Sequence, residues 1–117
     1  MYPTALAILL IEDNLAEAEL LADLLLDIDK TSCSIVHHSR LEAAIASLEG
    51  KSFDIILLDL SLPDSQGLAS LPLLMTAAPD VPIVVLTNTD DAELALEAVH
   101  QGAQDYLIKK NVTFDQE

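Results

Sequence analysis

Positive charge is scarce in this sequence. Only five of the 117 residues are lysine or arginine, whereas 20 are aspartate or glutamate, which leaves a net charge of −15. Binding to nucleic acid or to an anionic membrane surface requires cations that face phosphate groups, so the composition argues against both. It is compatible with a partner that presents a basic surface.

Cysteine and long apolar runs are scarce as well. Cys33 is the single cysteine, so no disulfide can form within the chain, and we interpret it as a structural thiol in a reducing cytoplasm. No basic segment precedes the apolar run near the N-terminus, which argues against a signal peptide. No apolar stretch reaches the roughly 20 residues that a membrane-spanning helix needs. We therefore expect a cytoplasmic protein.

Apolar residues, in contrast, are abundant and regularly distributed. They make up 51% of the chain, and the mean hydropathy is +0.39, so we expect one domain with a hydrophobic core. Short apolar runs predict strands near residues 7–11, 34–38, 54–59, 82–87 and 105–108. Apolar residues at helical spacing predict helices near 14–29, 39–50, 70–78 and 90–102.

Local signals refine the ends of these helices. Asn14 is expected to cap the first helix. Ser39 and Glu42 have the spacing of a capping box at the start of the second. Pro72 is expected to delay or distort the start of the third, since proline is tolerated only in the first turn of a helix.

Alternating strands and helices predict a doubly wound α/β domain with a five-stranded parallel sheet, the flavodoxin-like architecture. The right-handed crossover rule and the two most apolar strands favour the strand order 2-1-3-4-5, with strands numbered along the chain. This order places the first and third strands side by side, where ligands bind in such sheets.

Acidic residues follow both of these central strands. Glu12 and Asp13 come directly after the first strand, and Asp59 ends the third. Two like charges about 4 Å apart repel by roughly 4 kcal/mol at an effective dielectric constant of ~20, so such a cluster binds either protons or a cation. Oxygen ligands that leave room for water and phosphate suit Mg²⁺.

Two further strand ends carry groups that can contact a phosphoryl group. Thr87 ends the fourth strand with a hydroxyl, and Lys109 ends the fifth with an ammonium. Together with the three carboxylates they predict a phosphoryl-transfer site in which Asp59 is the nucleophile and forms an acyl phosphate. Mg²⁺, Thr87 and Lys109 are expected to neutralise the developing charge.

The sequence resembles the receiver domains of two-component response regulators over nearly its whole length. The matching segments are LIEDN at 10–14, DIILLDLSLPD at 54–64, PIVVLT at 82–87 and GAQDYLIK at 102–109. Pro63 and Gly67 also match, four and eight residues after Asp59. The expected output of such a domain is a shift of the face formed by the fourth helix, the fifth strand and the fifth helix.

The resemblance implies a role for each matching residue. Asp59 would be the phosphoacceptor and would take its phosphate from a phosphohistidine of a sensor histidine kinase or a histidine phosphotransfer protein. Asp13, Asp59 and the backbone carbonyl of Ser61 would bind Mg²⁺, with Glu12 assisting. The role is mainly signalling, with catalysis limited to phosphorylation and dephosphorylation of the chain's own aspartate.

Further residues would sense or tune the phosphoryl group. Thr87 would hydrogen-bond to it, Lys109 would pair with it, and Tyr106 would swing inward as Thr87 moves. The positions that would tune its chemistry are Ser61, Asn88 and Thr89. Asn88 departs from the family pattern, which has a smaller residue there.

The C-terminal end is the largest departure from the family. Lys110 stands where many relatives have proline, and the sequence ends where the family has a fifth helix. We expect residues 1–117 to be a single receiver domain, a fragment that lacks most of that helix and any output domain of a longer chain. Apolar surface left exposed in this way would favour self-association.

Two other functions are compatible with parts of this pattern. A docking module of the same fold that works without phosphorylation remains as an alternative. A phosphotransferase for small molecules is disfavoured, since no second aspartate stands two residues after Asp59. The three histidines, His37, His38 and His100, are interpreted as structural or surface residues, because no other metal ligands gather near them in the sequence.

Overall fold

The computed structural model describes residues 6–28, 33–62, 65–87 and 92–108. A five-stranded sheet occupies its centre. The strands are β1 (Leu6–Ile11), β2 (Cys33–His38), β3 (Ile55–Asp59), β4 (Ile83–Thr87) and β5 (Asp105–Ile108). Their order is β2-β1-β3-β4-β5, and all four neighbouring pairs are parallel. The predicted architecture and strand order are confirmed.

In the described part of the chain, four α-helices connect the strands. They are α1 (Leu15–Ile28), α2 (Leu41–Gly50), α3 (Ser70–Ala77) and α4 (Ala92–His100). Within the described part of the chain, no helix is both long and apolar enough to cross a bilayer. The C-terminal residues 109–117, where the sequence predicts a truncated or absent fifth helix, lie outside the described residues.

The starts of α1 and α3 agree with the local signals in the sequence. The side-chain oxygen of Asn14 accepts a hydrogen bond from the backbone N–H of Glu17 at 3.0 Å, so Asn14 caps α1 as predicted. A 3₁₀ turn (Gly67–Ala69) leads into α3, which is the distorted start expected near Pro72. Pro72 is the third residue of α3, where a backbone N–H has no partner within the helix.

The predicted capping box of α2 is misplaced. The N-cap position is Arg40, whose backbone is extended and whose side chain makes no capping hydrogen bond. The helix therefore begins one residue later than the capping box of Ser39 and Glu42 requires. A capping signal in the sequence fixes the start of a helix only to within one or two residues.

The core forms two layers because successive strand residues point to opposite faces of the sheet. Leu9 and Leu58 face the layer covered by α2, α3 and α4, and Leu10 and Leu57 face the layer covered by α1. All four of these leucines are 5% exposed or less. Central strands covered on both faces explain why β1 and β3 are continuously apolar until their carboxyl ends.

Candidate functional site

Three carboxylates meet at the carboxyl ends of β1 and β3. Ile11 pairs with Leu58 across these strands, which places Glu12 and Asp13 beside Asp59. One carboxylate oxygen from each of the three acids lies within 4.8 Å of the other two. The convergence predicted from strand order is therefore observed.

The three carboxylates differ in their access to solvent. Glu12 is fully buried and Asp59 is 3% exposed, whereas Asp13 is exposed. Because Asp13 is the carboxylate that is open to solvent, a ligand can enter the site from its side. Burial of two acids beside a third also strengthens the repulsion among them, since less water screens the charges.

The oxygen donors suit a hard divalent cation. Opposite oxygen ligands of Mg²⁺ lie about 4 Å apart, from a metal–oxygen distance of 2.0–2.1 Å, and this separation falls within the 4.8 Å that bounds the distances between these carboxylate oxygens. The solvent-facing side leaves room for the water ligands that Mg²⁺ retains. The residues that could hold the ion are Glu12, Asp13 and Asp59.

The backbone around Glu12 is held by β2 and by the start of α1. The Glu12 N–H donates to the carbonyl of His38 at 3.0 Å, and the His37 Nε2 donates to the carbonyl of Glu12 at 2.7 Å. Glu12 Oε2 accepts from the backbone N–H of Asn14 at 3.2 Å. The link from His37 to the site was missed in the sequence, although the predicted pairing of the first two strands could have indicated it.

Thr87 and Tyr106 lie on the neighbouring strands β4 and β5. Thr87, at the end of β4, is 3% exposed, and Tyr106 is half-buried against the core. Tyr106 pairs with Val85, two residues before Thr87, so the three side chains project from the same face of the sheet. The hydroxyl of Thr87 and the ring of Tyr106 thus share one layer of the core.

Other predicted site residues are described only partly or not at all. The Ser61 backbone lies in a short antiparallel hairpin, Ser61–Leu62 with Ser65–Gln66, just after Asp59, and its side chain lies outside the described residues. The same holds for the whole of Asn88, Thr89 and Lys109. Their predicted roles remain predictions.

Known proteins match both the sequence and the fold. The family described as "Response regulator receiver domain" matches residues 8–115, so the chain belongs to this family of two-component signalling domains. The regulatory protein LuxO of Vibrio cholerae is 42% identical over 102 residues, covering 86% of this chain and 21% of LuxO. The response regulator protein FleR of Pseudomonas aeruginosa is 34% identical over 105 residues, covering 90% of this chain and 22% of FleR.

A solved structure supports the same assignment. The signal receiver domain of a putative LuxO repressor protein from Vibrio parahaemolyticus superposes with a TM-score of 0.77 at 27% identity. The match covers 91% of this chain and 79% of that one. In contrast, the chain spans only about a fifth of the length of the two curated relatives.

Proposed function

We propose that the chain is a phosphoacceptor in a two-component phosphorelay, with Asp59 as the residue that is phosphorylated. A carboxylate oxygen of Asp59 attacks the phosphorus of a phosphohistidine, the P–N bond breaks, and the imidazole leaves with its electron pair and takes up a proton. The observation that carries the proposal is the convergence of Asp59 with Glu12 and Asp13 within 4.8 Å.

Mg²⁺ is the proposed cofactor of this transfer. Asp13, Asp59 and the backbone carbonyl of Ser61 would bind the ion, with Glu12 assisting, and a bound ion would supply positive charge beside the phosphoryl oxygens. The all-oxygen donor set and the exposed side of the site support this assignment. Without a cation, three close carboxylates would repel the incoming phosphoryl group.

The remaining roles concern the phosphorylated state. Thr87 is proposed to donate a hydrogen bond to the phosphoryl oxygens, Lys109 to pair with them, and Tyr106 to move inward as Thr87 shifts. The shared core layer of Thr87 and Tyr106 supports this coupling. The residues proposed to tune the phosphoryl lifetime are Ser61, Asn88 and Thr89.

The proposed partners follow from this chemistry. A sensor histidine kinase or a histidine phosphotransfer protein would donate the phosphate in the cytoplasm. An output domain in a longer chain would read the result, in line with the greater length of LuxO and FleR. Leu96 on α4 and Leu107 on β5 are 51% and 39% exposed, which supports a partner-binding face there.

Intact-protein mass spectrometry after incubation with acetyl phosphate and Mg²⁺ tests the proposal. We expect the wild type to gain the mass of one phosphoryl group and Asp59→Asn to gain none. Asp54→Asn is the matched control, because Asp54 lies at the opposite end of β3, and it should be labelled like the wild type. A folded wild type that gains no mass would overturn the proposal and favour a docking module that works without phosphorylation.

A further inference from the structure

The imidazole of His37 makes a short contact with the acidic site. Its Nε2 lies 2.7 Å from the backbone carbonyl oxygen of Glu12. A carbonyl oxygen only accepts hydrogen bonds, so Nε2 must carry the hydrogen and act as the donor. The contact is partly buried and joins residues 25 positions apart in the sequence.

This contact extends the pairing of β1 and β2 beyond the regular ladder. The paired residues end at Ile11 and His38, yet both backbone polar groups of Glu12 still bond to β2. The Glu12 N–H donates to the His38 carbonyl at 3.0 Å, and the Glu12 carbonyl accepts from the His37 side chain. The backbone of Glu12 is therefore held at both of its polar groups.

Holding the Glu12 carbonyl also orients the residue that follows it. The carbonyl of Glu12 and the N–H of Asp13 belong to one rigid peptide plane. Fixing the oxygen at one edge of this plane restricts the direction in which the chain enters Asp13. Asp13 is exposed, so packing contributes little to its orientation, and the backbone contact matters correspondingly more.

We propose that His37 is a positioning residue for the cation site. Its hydrogen bond to Glu12 sets the direction of the peptide plane and thereby the spacing of the carboxylates of Asp13 and Asp59. The inference rests on the proposed function, because the cation it helps to place is the Mg²⁺ of that proposal. His37 itself does not contact the cation or the phosphoryl group.

Titration calorimetry with MgCl₂ on the whole chain tests this role with four proteins. They are the wild type, His37→Leu, His37→Gln and His38→Leu. Leucine removes the donor, and we expect Mg²⁺ binding to weaken about five-fold, the effect of one net hydrogen bond. Glutamine carries an amide N–H near the position of Nε2, so its affinity should return to within about two-fold of the wild type.

His38→Leu is the matched control on the adjacent strand position. Among the described residues, the buried His38 Nε2 has no hydrogen-bond partner, and the backbone carbonyl that holds Glu12 is unchanged by the substitution. Its Mg²⁺ affinity should equal that of the wild type. Urea unfolding without Mg²⁺ shows whether each variant is folded before it is titrated.

The outcomes separate this inference from the function on which it rests. Equal Mg²⁺ affinity in the wild type and His37→Leu, or a folded His37→Gln as weak as His37→Leu, would overturn the positioning role alone. If His37→Leu fails to fold, His37→Asn replaces it, because its shorter amide cannot reach the Glu12 carbonyl. A wild type that binds no Mg²⁺ would overturn both proposals.

Discussion

Asp54 and Asp59 lie at opposite ends of β3 and differ in exposure and in surroundings. Asp54 precedes β3, is exposed, and accepts a hydrogen bond from the backbone N–H of Ala7 through Oδ2 at 2.8 Å. Its own N–H donates to the Ala7 carbonyl at 2.7 Å. Asp59 ends β3, is 3% exposed, and lies within 4.8 Å of two other carboxylates.

The comparison shows that one residue type has different surroundings at the two ends of a strand. At the amino end, the carboxylate satisfies a backbone donor of a neighbouring strand, which stabilises the sheet. At the carboxyl end, like charges are held together by the folded backbone at a cost in free energy. Under the proposed function, a bound cation would offset this cost.

The largest expected effect comes from the strand between the two aspartates. Leu58 is fully buried in the layer beneath α2, α3 and α4, so Leu58→Ala should lower the free energy of unfolding by about 2–5 kcal/mol. Urea denaturation measures this directly. A smaller decrease in the free energy of unfolding would mean that the core relaxes around the cavity. In that case β3 would not hold Asp54 and Asp59 rigidly apart.

The next largest change in stability is expected at Gly102, near the amino end of β5. Gly102 has φ +129°, and a Cβ there would lie 2.5 Å from the Cε of Met75. Gly102→Ala should lower the free energy of unfolding by about 1–3 kcal/mol, mainly through backbone strain. The double variant with Met75→Ala relieves only the contact, so complete recovery of stability in it would contradict the backbone explanation.

A smaller change in stability is expected for variants of Asp54, and it distinguishes the role of Asp54 from that of Asp59. Asp54→Ala removes the acceptor for the Ala7 N–H and should cost about 1 kcal/mol of unfolding free energy. Asp54→Asn retains a side-chain oxygen and should cost less. Labelling by acetyl phosphate should persist in both variants, and its loss would show that the two ends of β3 are coupled.

The smallest effect has the opposite sign. Asp59→Asn removes one of three close charges, so in Mg²⁺-free buffer it should raise the free energy of unfolding by about 1 kcal/mol or less. Added Mg²⁺ should then stabilise the wild type more than the variant, because only binding to the folded state increases stability. If both proteins are equally stable with and without Mg²⁺, the three carboxylates do not destabilise the folded state by repulsion.

Much of the fold and site could be predicted because the relevant signals are local or follow from topology. The apolar runs before Glu12 and Asp59 indicate two buried parallel strands, and parallel strands bring their carboxyl ends to one edge. Asn14 was correctly predicted as a cap because its side chain bonds within its own helix turn. The N-cap of α2 is Arg40 and not the predicted Ser39, because a capping signal fixes a helix start only to within one or two residues.

The contact of His37 with Glu12 could not be predicted in this way. The two residues belong to different strands, and a contact between them depends on the register of β1 with β2 and on the rotamer of one side chain. Adjacent histidines on a strand also point to opposite faces, and the sequence does not reveal which one turns toward the acidic site.

The pattern of apolar and acidic residues along the chain specifies the class of fold, the order of the strands and the acidic residues at their ends. These depend on hydrophobic periodicity and on the handedness of crossovers, which act on any chain with this pattern. The packing of separate elements, in contrast, leaves Glu12 buried and Asp13 exposed, and it brings His37 of β2 to the carbonyl of Glu12. Burial and side-chain contacts depend on how separate elements pack, a property that no single segment contains.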